Sequence, residues 1–271
     1  MRPGASAPVA LAWPLPEEVA RCIEARGNKP RVGDNIGLWL DKLVQRDRRT
    51  GALEKGGRER AFRVFCDRWK CPAAQHALER RREGLKTTKA LFKVFTARLD
   101  SPLMVDHGRA VATEVSLSFH PIYGTPRIPG TALKGATRAW LEAEGAIESV
   151  PWLFGDTANE GHLVMHEALP VDGAFALALD VLTPHHKDYY EGREPPADWL
   201  SPEPHTFLTV VETTFEFCVE VETRAKDDEA RCEREHDRAV EALQNALEVN
   251  GVGGKTSSGY GRFRDFNEVR P

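Results

Sequence analysis

The sequence lacks three features that would place it in a membrane-bound, secreted or zinc-stabilised class. It has no apolar run long enough to span a bilayer, and its apolar start, residues 1–16, is interrupted by four prolines. Its five cysteines form an odd set with no CxxC pair, which argues against a disulfide framework and against a zinc site. We therefore expect a cytoplasmic protein with reduced thiols and without a metal, a cofactor or a membrane partner.

An overall excess of positive charge is also lacking, although the charge is unevenly distributed. The 271 residues carry a net charge of −4, which by itself argues weakly against a nucleic-acid partner. Residues 46–93, however, contain 15 Lys and Arg against 6 Asp and Glu. Such a segment either follows a phosphate backbone or forms the solvated face of an amphipathic helix, and both interpretations stay open.

A glycine-dense basic tail is the most informative feature that is present. Five of the eleven residues from Gly251 to Gly261 are glycine, and Lys255, Ser257, Ser258 and Arg262 add hydrogen-bond donors. Glycine allows positive φ and a close approach of backbone N–H groups to a ligand, which predicts a cradle for phosphate. A glycine-rich helix cap followed by a turn would have the same composition.

The tripeptide Gly254-Lys255-Thr256 matches the end of a nucleotide-binding P-loop, but the match goes no further. That motif needs a glycine five positions before Gly254, where this chain has Val249. It also needs a strand before it and a helix after it, whereas here a predicted helix precedes the tail and a predicted strand follows. An NTPase is therefore disfavoured, and binding of a polyanion is the better interpretation.

The chain divides into a mostly helical N-terminal region, residues 1–88, which is basic in its second half, and a region of alternating strands and helices, residues 89–271. The elements predicted in the second region are strand 91–99, helix 132–143, strands 162–167, 175–182 and 207–221, helix 228–249 and strand 260–269. In 207–221 the strict alternation predicts a single strand with one core face and one water face. The order predicts an α+β fold with a ferredoxin-like (RRM-like) βαββαβ core and inserted strands.

Two cations lie one turn apart near the start of the predicted helix 132–143. Lys134 and Arg138 have i,i+4 spacing, and together with the free N–H groups of a helix N-terminus they favour an anion. An ordinary solvated pair on a core-packed helix would give the same pattern. Arg127, which precedes the helix, is a weaker addition.

Few residues suggest catalysis. Asp106 lies in a predicted loop after the first strand, and an aspartate in such a loop is most often a turn residue. His185 and His186 are adjacent, so in extended chain their side chains point in different directions. His162 and His166 share a predicted strand face, but no third metal ligand is visible. We expect no catalytic residues; the alternative is an endoribonuclease that acts on target or precursor RNA through Asp106 or His185.

Several segments resemble the RAMP superfamily of CRISPR-associated proteins. They are Ile128-Pro129-Gly130-Thr131-Ala132-Leu133-Lys134-Gly135-Ala136-Thr137-Arg138, Leu153-Phe154-Gly155 followed by Gly161, and the glycine-rich tail. More narrowly, residues 120–126, 182–190 and 201–210 resemble the family of the sixth subunit of the type III-B Cmr effector complex. The resemblance spans residues 89–265.

This resemblance implies a non-catalytic subunit that binds crRNA independently of sequence, near its 3′ end, in antiviral defence. Its implied partners are other Cmr complex subunits, namely backbone RAMP subunits and the small helical subunit, with target RNA contacted indirectly. The residues implied to bind RNA are Lys134, Arg138, Gly253, Gly254, Lys255, Ser257 and Ser258, with Arg127 as a weaker addition. Backbone RAMP subunits cut target RNA with an Asp in the loop where Asp106 lies, which keeps the nuclease alternative open.

Overall fold

The computed structural model of the chain describes residues 11–12, 15–27, 29–43, 46–47, 57–105, 117, 119–146, 148–183, 192, 195, 204–225 and 227–270. Asp106, His185 and His186 lie outside these residues, and so does the hypothesis of a nuclease site that rests on them.

The helices begin at residues that suit a helix N-terminus. Asn35 caps the second helix by accepting a hydrogen bond from the Leu38 N–H (2.9 Å), and Pro72 opens the fourth. Within the described residues the helices are α1 (Glu17–Ala25), α2 (Ile36–Lys42), α3 (Gly57–Arg63), α4 (Pro72–Leu85), α5 (Gly130–Ala143), α6 (Ser149–Phe154) and α7 (Glu229–Asn245). A wider π-type turn, Ala246–Asn250, continues α7. Within the described residues, no helix combines the length and the apolar character that crossing a membrane requires.

In the part of the chain that the structure describes, the strands form two main sheets and one short ladder. They are β1 (Leu11–Ala12), β2 (Arg46–Asp47), β3 (Arg68–Lys70), β4 (Leu91–Leu99), β5 (Leu163–Met165), β6 (Leu169–Pro170), β7 (Ala174–Leu182), β8 (His205–Val211), β9 (Thr214–Val221) and β10 (Phe263–Val269). The central sheet has the order β10-β4-β9-β5, with β6 also paired to β9, and all these neighbours are antiparallel. The second sheet has the order β3-β7-β8. The predicted mixture of helices and sheet is confirmed.

Both faces of the central sheet are covered. On one face Phe95 and Phe217 lie opposite each other with stacked rings 5.2 Å apart, and Phe263 packs edge-on against Phe217. The helices α5 and α7 pack against each other and against β4, β5 and β9. On the other face Val94 and Cys218 pack with Leu85 of α4. The sheet therefore lies between α4 and the α5–α7 pair.

The segment predicted as one strand, 207–221, is two strands that belong to different sheets. β8 pairs with β7, whereas β9 pairs with β4 and β5. The chain turns between them at Glu212, which has a φ of 46°, and at Thr213, whose hydroxyl donates to the Val211 carbonyl (2.7 Å). The prediction is wrong because the alternating pattern runs through this corner without a Gly or Pro to mark it.

The side of β9 that was predicted to face water is buried as well. Glu216 is fully buried, because α4 covers this face of the sheet. Arg81 Nη2 donates to Glu216 Oε1 (2.9 Å), and Arg82 Nε donates to Glu216 Oε2 (2.8 Å). Two guanidinium groups thus compensate the desolvation of one carboxylate. Arg81 Nη1 also donates to the Glu167 carbonyl (2.7 Å), which fixes α4 to the chain beside β5.

Part of the positive charge of residues 46–93 is neutralised by acids from distant parts of the chain. Arg68 pairs with Glu212, and Lys93 pairs with Glu268 (3.3 Å), in addition to the two arginines on Glu216. These ion pairs join separate parts of the fold. This role differs both from binding a phosphate backbone and from forming a solvated helix face.

Among the described residues, the larger of two clusters of buried apolar side chains contains residues from both sides of residue 88. Trp39, Phe62 and Trp69 belong to the same cluster of buried side chains as Phe95 and Leu133. β3 also pairs with β7 across this boundary. The division at residue 88 stays a prediction about how the chain is organised.

Replacing Glu216 by Ala is expected to lower the free energy of unfolding by about 3 kcal/mol, because the two guanidinium groups lose the carboxylate that compensates their partial burial. Urea denaturation followed by circular dichroism measures the change. The matched control is Glu268→Ala, which removes an exposed ion pair and is expected to cost less than about 1 kcal/mol. Equal effects of the two substitutions would contradict the structural function of Glu216.

Candidate nucleic-acid interface

The glycine-rich tail forms a closed loop between the end of α7 and the start of β10. The Val252 N–H donates to the Gly261 carbonyl (3.0 Å), and the Gly251 N–H donates to the Ala246 carbonyl (2.8 Å). An added Cβ on Gly261 would collide with the Val252 carbonyl, and one on Gly251 would lie 2.6 Å from the Tyr260 carbonyl oxygen. The two ends of the loop are thus held together by backbone-to-backbone contact.

This loop rests on the segment that follows β4. The Gly254 N–H donates to the Met104 carbonyl (2.6 Å), and the Gly261 N–H donates to the Pro102 carbonyl (2.9 Å). The Arg262 N–H donates to the hydroxyl of Ser101 (2.9 Å). The tail therefore lies at the edge of the central sheet where β4 ends and β10 begins.

Most of the glycines serve this packing, and they do so through the absence of a side chain. Gly253 has a φ of 99°, and a Cβ there would collide with the Met104 carbonyl. Gly254 differs, because its Cβ would make only ordinary contacts, the nearest at 3.4 Å from Met104 Sδ. The glycine composition that predicted a phosphate cradle is thus explained in large part by the fold itself.

The backbone around Lys255 nevertheless has the shape of an anion-binding nest. Lys255 is left-handed (φ 59°, ψ 30°), and a single turn of 3₁₀-helix, Thr256–Ser258, follows it. Among the described residues, no hydrogen-bond acceptor is recorded for the backbone N–H groups of Lys255, Thr256 and Ser257. Consecutive free N–H groups after a left-handed residue form a concavity that suits a phosphate oxygen. The side chains of Ser257 and Ser258 are exposed beside it.

Tyr260 has a structural function in the tail. Its hydroxyl donates to Asp180 Oδ2 of β7 (2.6 Å), and its ring packs near Phe207 with the centroids 6.5 Å apart. Partial burial, together with the hydrogen bond to Asp180, raises the pKa of Tyr260 to about 12. These contacts are those of a tyrosine that packs against the fold.

The cations of α5 have partners within the fold. Lys134 Nζ donates to the Leu163 carbonyl (2.9 Å), and Arg138 Nε pairs with Glu142 one turn further along (2.7 Å). Arg127 Nη1 pairs with Glu167 Oε2 (3.2 Å). In the described part of the chain no recorded contact joins these three side chains to the tail, so two separate groups of predicted site residues emerge.

The start of α5 explains its own sequence motif. An added Cβ on Gly130 would collide with the Met165 carbonyl, so the helix begins directly against β5. Ile128 exchanges two backbone hydrogen bonds with Ala168 (3.0 and 2.9 Å), which aligns the chain before the helix. The Ile128-Pro129-Gly130 element is therefore needed for packing.

The two histidines that share a predicted strand face, His162 and His166, contact different residues. His162 stacks on Trp152 at 4.1 Å, with its Nδ1 3.0 Å from the Trp152 carbonyl oxygen. His166 Nε2 lies 2.8 Å from Glu220 Oε2. Within the residues that the structure describes, no group of three or more potential metal ligands occurs.

Sequence reasoning predicted that backbone N–H groups of the tail bind phosphate, but it did not identify the three that the structure leaves without a recorded acceptor, those of Lys255, Thr256 and Ser257. The sequence does contain a signal for the turn itself, because a lysine between glycine and a Thr-Ser-Ser run can take the left-handed conformation that begins a tight turn. Sequence alone does not determine which N–H groups that turn leaves unpaired.

Comparison with known proteins gives matches over most of the second region. The family model described as RAMP superfamily matches residues 96–264. A curated relative from Pyrococcus furiosus, "CRISPR system Cmr subunit Cmr6", is 34% identical over 234 residues, covering 62% of this chain and 66% of the relative. One from Saccharolobus solfataricus, "CRISPR system CMR subunit Cmr6", is 29% identical over 134 residues, covering 49% of this chain and 42% of the relative. The chain thus spans slightly less than two thirds of the first relative and under half of the second.

A solved structure shows the same fold. A chain in the cryo-EM structure of the Type III-B Cmr-beta bound to cognate target RNA matches with a TM-score of 0.65 and 20% sequence identity. The match covers 78% of this chain and 72% of that one. At this identity the likeness bears on the fold alone.

Replacing Gly253 by Ala is expected to lower the free energy of unfolding by about 2 kcal/mol, because the new Cβ meets the Met104 carbonyl at a positive φ. The neighbouring Gly254→Ala is the control and is expected to change the free energy of unfolding by less than about 0.5 kcal/mol. Urea denaturation of both variants makes the comparison. A larger loss for Gly254→Ala would show that the loop is anchored differently.

Proposed function

Because the chain belongs to the RAMP superfamily, we propose that it is a crRNA-holding, non-catalytic subunit of a cytoplasmic type III-B Cmr complex. Two curated relatives bear the name of a Cmr subunit, which supports the assignment to such a complex. In this proposal the chain packs on backbone RAMP subunits and the small helical subunit, holds the 3′ part of the crRNA, and meets target RNA only indirectly.

The proposal includes a ferredoxin-like core. The elements β4, α5, β5, β9, α7 and β10 follow one another in the order βαββαβ, and the sheet order β10-β4-β9-β5 is the one this fold requires. β6, β7 and β8 are then insertions between the second and third core strands. Such a core leaves the loop between its second helix and last strand, which is the tail, free to meet a ligand.

The nest at Lys255 is the observation that carries the RNA-binding proposal. It offers the N–H groups of Lys255, Thr256 and Ser257 to one phosphate, with the Lys255 ammonium and the hydroxyls of Ser257 and Ser258 beside them. Backbone donors and a cation recognise phosphate and carry no base information, which fits binding independent of sequence.

The remaining predicted contacts take smaller parts in this proposal. Gly253 and Gly254 shape the loop. Lys134 keeps two N–H donors after its bond to Leu163, so it remains a predicted contact with RNA. Arg138 and Arg127 would exchange a carboxylate partner for a phosphate, or share the guanidinium between both.

Replacing Lys255 by Ala is expected to weaken binding of a single-stranded RNA several-fold, with similar loss for different sequences, because one phosphate contact is removed. The slope of log affinity against log salt should fall by about one. Fluorescence anisotropy at several salt concentrations measures both quantities. Lys255→Arg keeps the charge and should retain affinity, and Lys29→Ala removes an exposed lysine as the matched control. Binding that is indifferent to salt and to Lys255→Ala would refute the nest as an RNA site.

The purified chain is expected to leave labelled RNA intact during long incubation with Mg²⁺ or Mn²⁺, since its proposed contacts hold phosphate and supply no nucleophile or general base. Gel electrophoresis of the RNA after incubation is the measurement. Cleavage that disappears in Asp106→Ala or His185→Ala would establish the endoribonuclease instead.

A further inference from the structure

A cavity of about 410 Å³ lies between α2 and the turn that follows Phe119, and of its lining residues Arg127 is also a proposed RNA contact. Leu38 and Phe119 provide apolar surface, whereas Asp41, Lys42 and Arg127 bring charged groups to the same space. Its volume falls within the range of about 300–1,000 Å³ that is common for small-molecule sites, and its lining is more polar than apolar.

The walls of this cavity are fixed relative to each other. Asn35, the cap of α2, donates through Nδ2 to the Pro121 carbonyl (2.9 Å) and to the Ile122 carbonyl (3.2 Å). An added Cβ on Gly37 would lie 2.6 Å from Phe119 Cβ, so α2 meets the opposite wall at the closest possible approach. The cavity is therefore formed before any ligand arrives, which lowers the ordering cost of binding.

His120 provides a neutral N–H donor at the wall. Its Nδ1 accepts hydrogen bonds from the N–H groups of Ile122 and Tyr123 (3.2 Å each), which leaves the proton on Nε2. Nε2 lies 3.4 Å from Glu167 Oε1, and the ring stacks on Tyr123 at 4.1 Å. Burial lowers the pKa of His120, with Arg127 acting in the same direction and the Glu167 carboxylate against it.

Arg127 and Lys42 provide the positive charge. Arg127 has one recorded partner, Glu167 at 3.2 Å, and its Nε is buried without a hydrogen-bond partner among the described residues. Lys42 is exposed at the end of α2, and the described residues offer no recorded acceptor for its ammonium group. A buried, unpaired donor in a guanidinium group is costly, so an acceptor near Arg127 would stabilise this wall.

Asp41 lies in the cavity lining and restricts which ligands can bind there. A carboxylate in the same cavity has several acceptor positions and can accept a further hydrogen bond from a hydroxyl or amino group. The apolar surface of Leu38 and Phe119 suits a ring. A matching ligand carries an anionic group, a ring and a hydrogen-bond donor on one small framework.

We propose that this cavity binds a nucleoside monophosphate unit, with the phosphate between Lys42 and Arg127, a hydroxyl or amino group at Asp41, and the ring on Leu38 and Phe119. This site is separate from the nest at Lys255 and does not depend on the proposed RNA-holding function. The same chemistry is present in a free mononucleotide and in the phosphorylated terminal nucleotide of an RNA.

Isothermal titration of the full chain with AMP, GMP, CMP and UMP is expected to give saturable binding, and inorganic phosphate and the matching nucleosides are expected to bind at least tenfold more weakly than the best nucleotide. Lys42→Met should weaken that nucleotide about tenfold through loss of one charged hydrogen bond. Leu38→Trp should abolish binding, because the larger side chain fills the cavity from an exposed position. Lys89→Met, at another exposed lysine, is the matched control and should bind like the wild type.

Unfolding temperatures of all variants within a few degrees of the wild type would show that lost binding reflects the cavity. The proposal is overturned if no nucleotide binds at millimolar concentration, if inorganic phosphate binds as tightly as the nucleotides, or if Lys42→Met and Leu38→Trp both leave binding unchanged.

RNA oligonucleotides with phosphorylated or free ends identify the source of the ligand. Preference for a phosphorylated end that both substitutions remove supports an RNA terminus, and binding of free nucleotides alone supports a mononucleotide ligand. Lys255→Ala separates the two sites, since it should weaken RNA binding along the tail and leave nucleotide binding intact.

Discussion

The burial of Glu216 between Arg81 and Arg82 is the interaction on which the arrangement of this protein depends. It allows α4 to cover the face of the central sheet that the α5–α7 pair leaves open. Arg81 then carries the constraint outward by donating to the Glu167 carbonyl. The Glu167 carboxylate in turn holds Arg127 and lies beside His120. A polar contact in the core thus positions side chains that line a surface cavity, and buried ionic groups can direct a fold in this way even when their net stabilisation is small.

Patterns in the sequence predicted the elements whose formation depends on residues close to each other along the chain. The 3.6-residue period of α7, the alternation of β4 and the composition of the tail each depend on near neighbours, and each was predicted close to its observed bounds. The corner at Glu212 and the burial of Glu216 depend on partners more than a hundred residues away. No pattern in 207–221 distinguishes a carboxylate in water from one that faces two arginines of α4, so the covered face could be found only in the fold.

The candidate sites likewise combine features that follow from residue type with features that depend on the fold. Lys255, Ser257 and Ser258 were predicted from residue type, and the structure adds the left-handed turn with its unpaired N–H groups. The glycines of the tail were predicted to form a phosphate cradle, and the structure adds that Gly253 and Gly261 allow backbone to meet backbone. Motif residues that seem to serve a ligand can therefore be required by packing, as Gly130 is at the start of α5. A cavity built by α2 and a distant turn leaves no sequence signal, since its lining comes from segments about eighty residues apart.

The two proposed anion sites differ in a way that would separate their functions. The proposed site at Lys255 consists of backbone donors on a partly exposed loop, so it would accept any phosphate of an extended chain with a strength that depends on salt. The cavity beside Arg127 consists of side chains on fixed walls, and the Asp41 carboxylate is one of them. Backbone recognition tolerates every nucleotide, whereas a lining of fixed side chains with opposite charges selects among small molecules. A protein with both proposed sites would hold an RNA chain without regard to its sequence and would bind a small phosphorylated ligand separately.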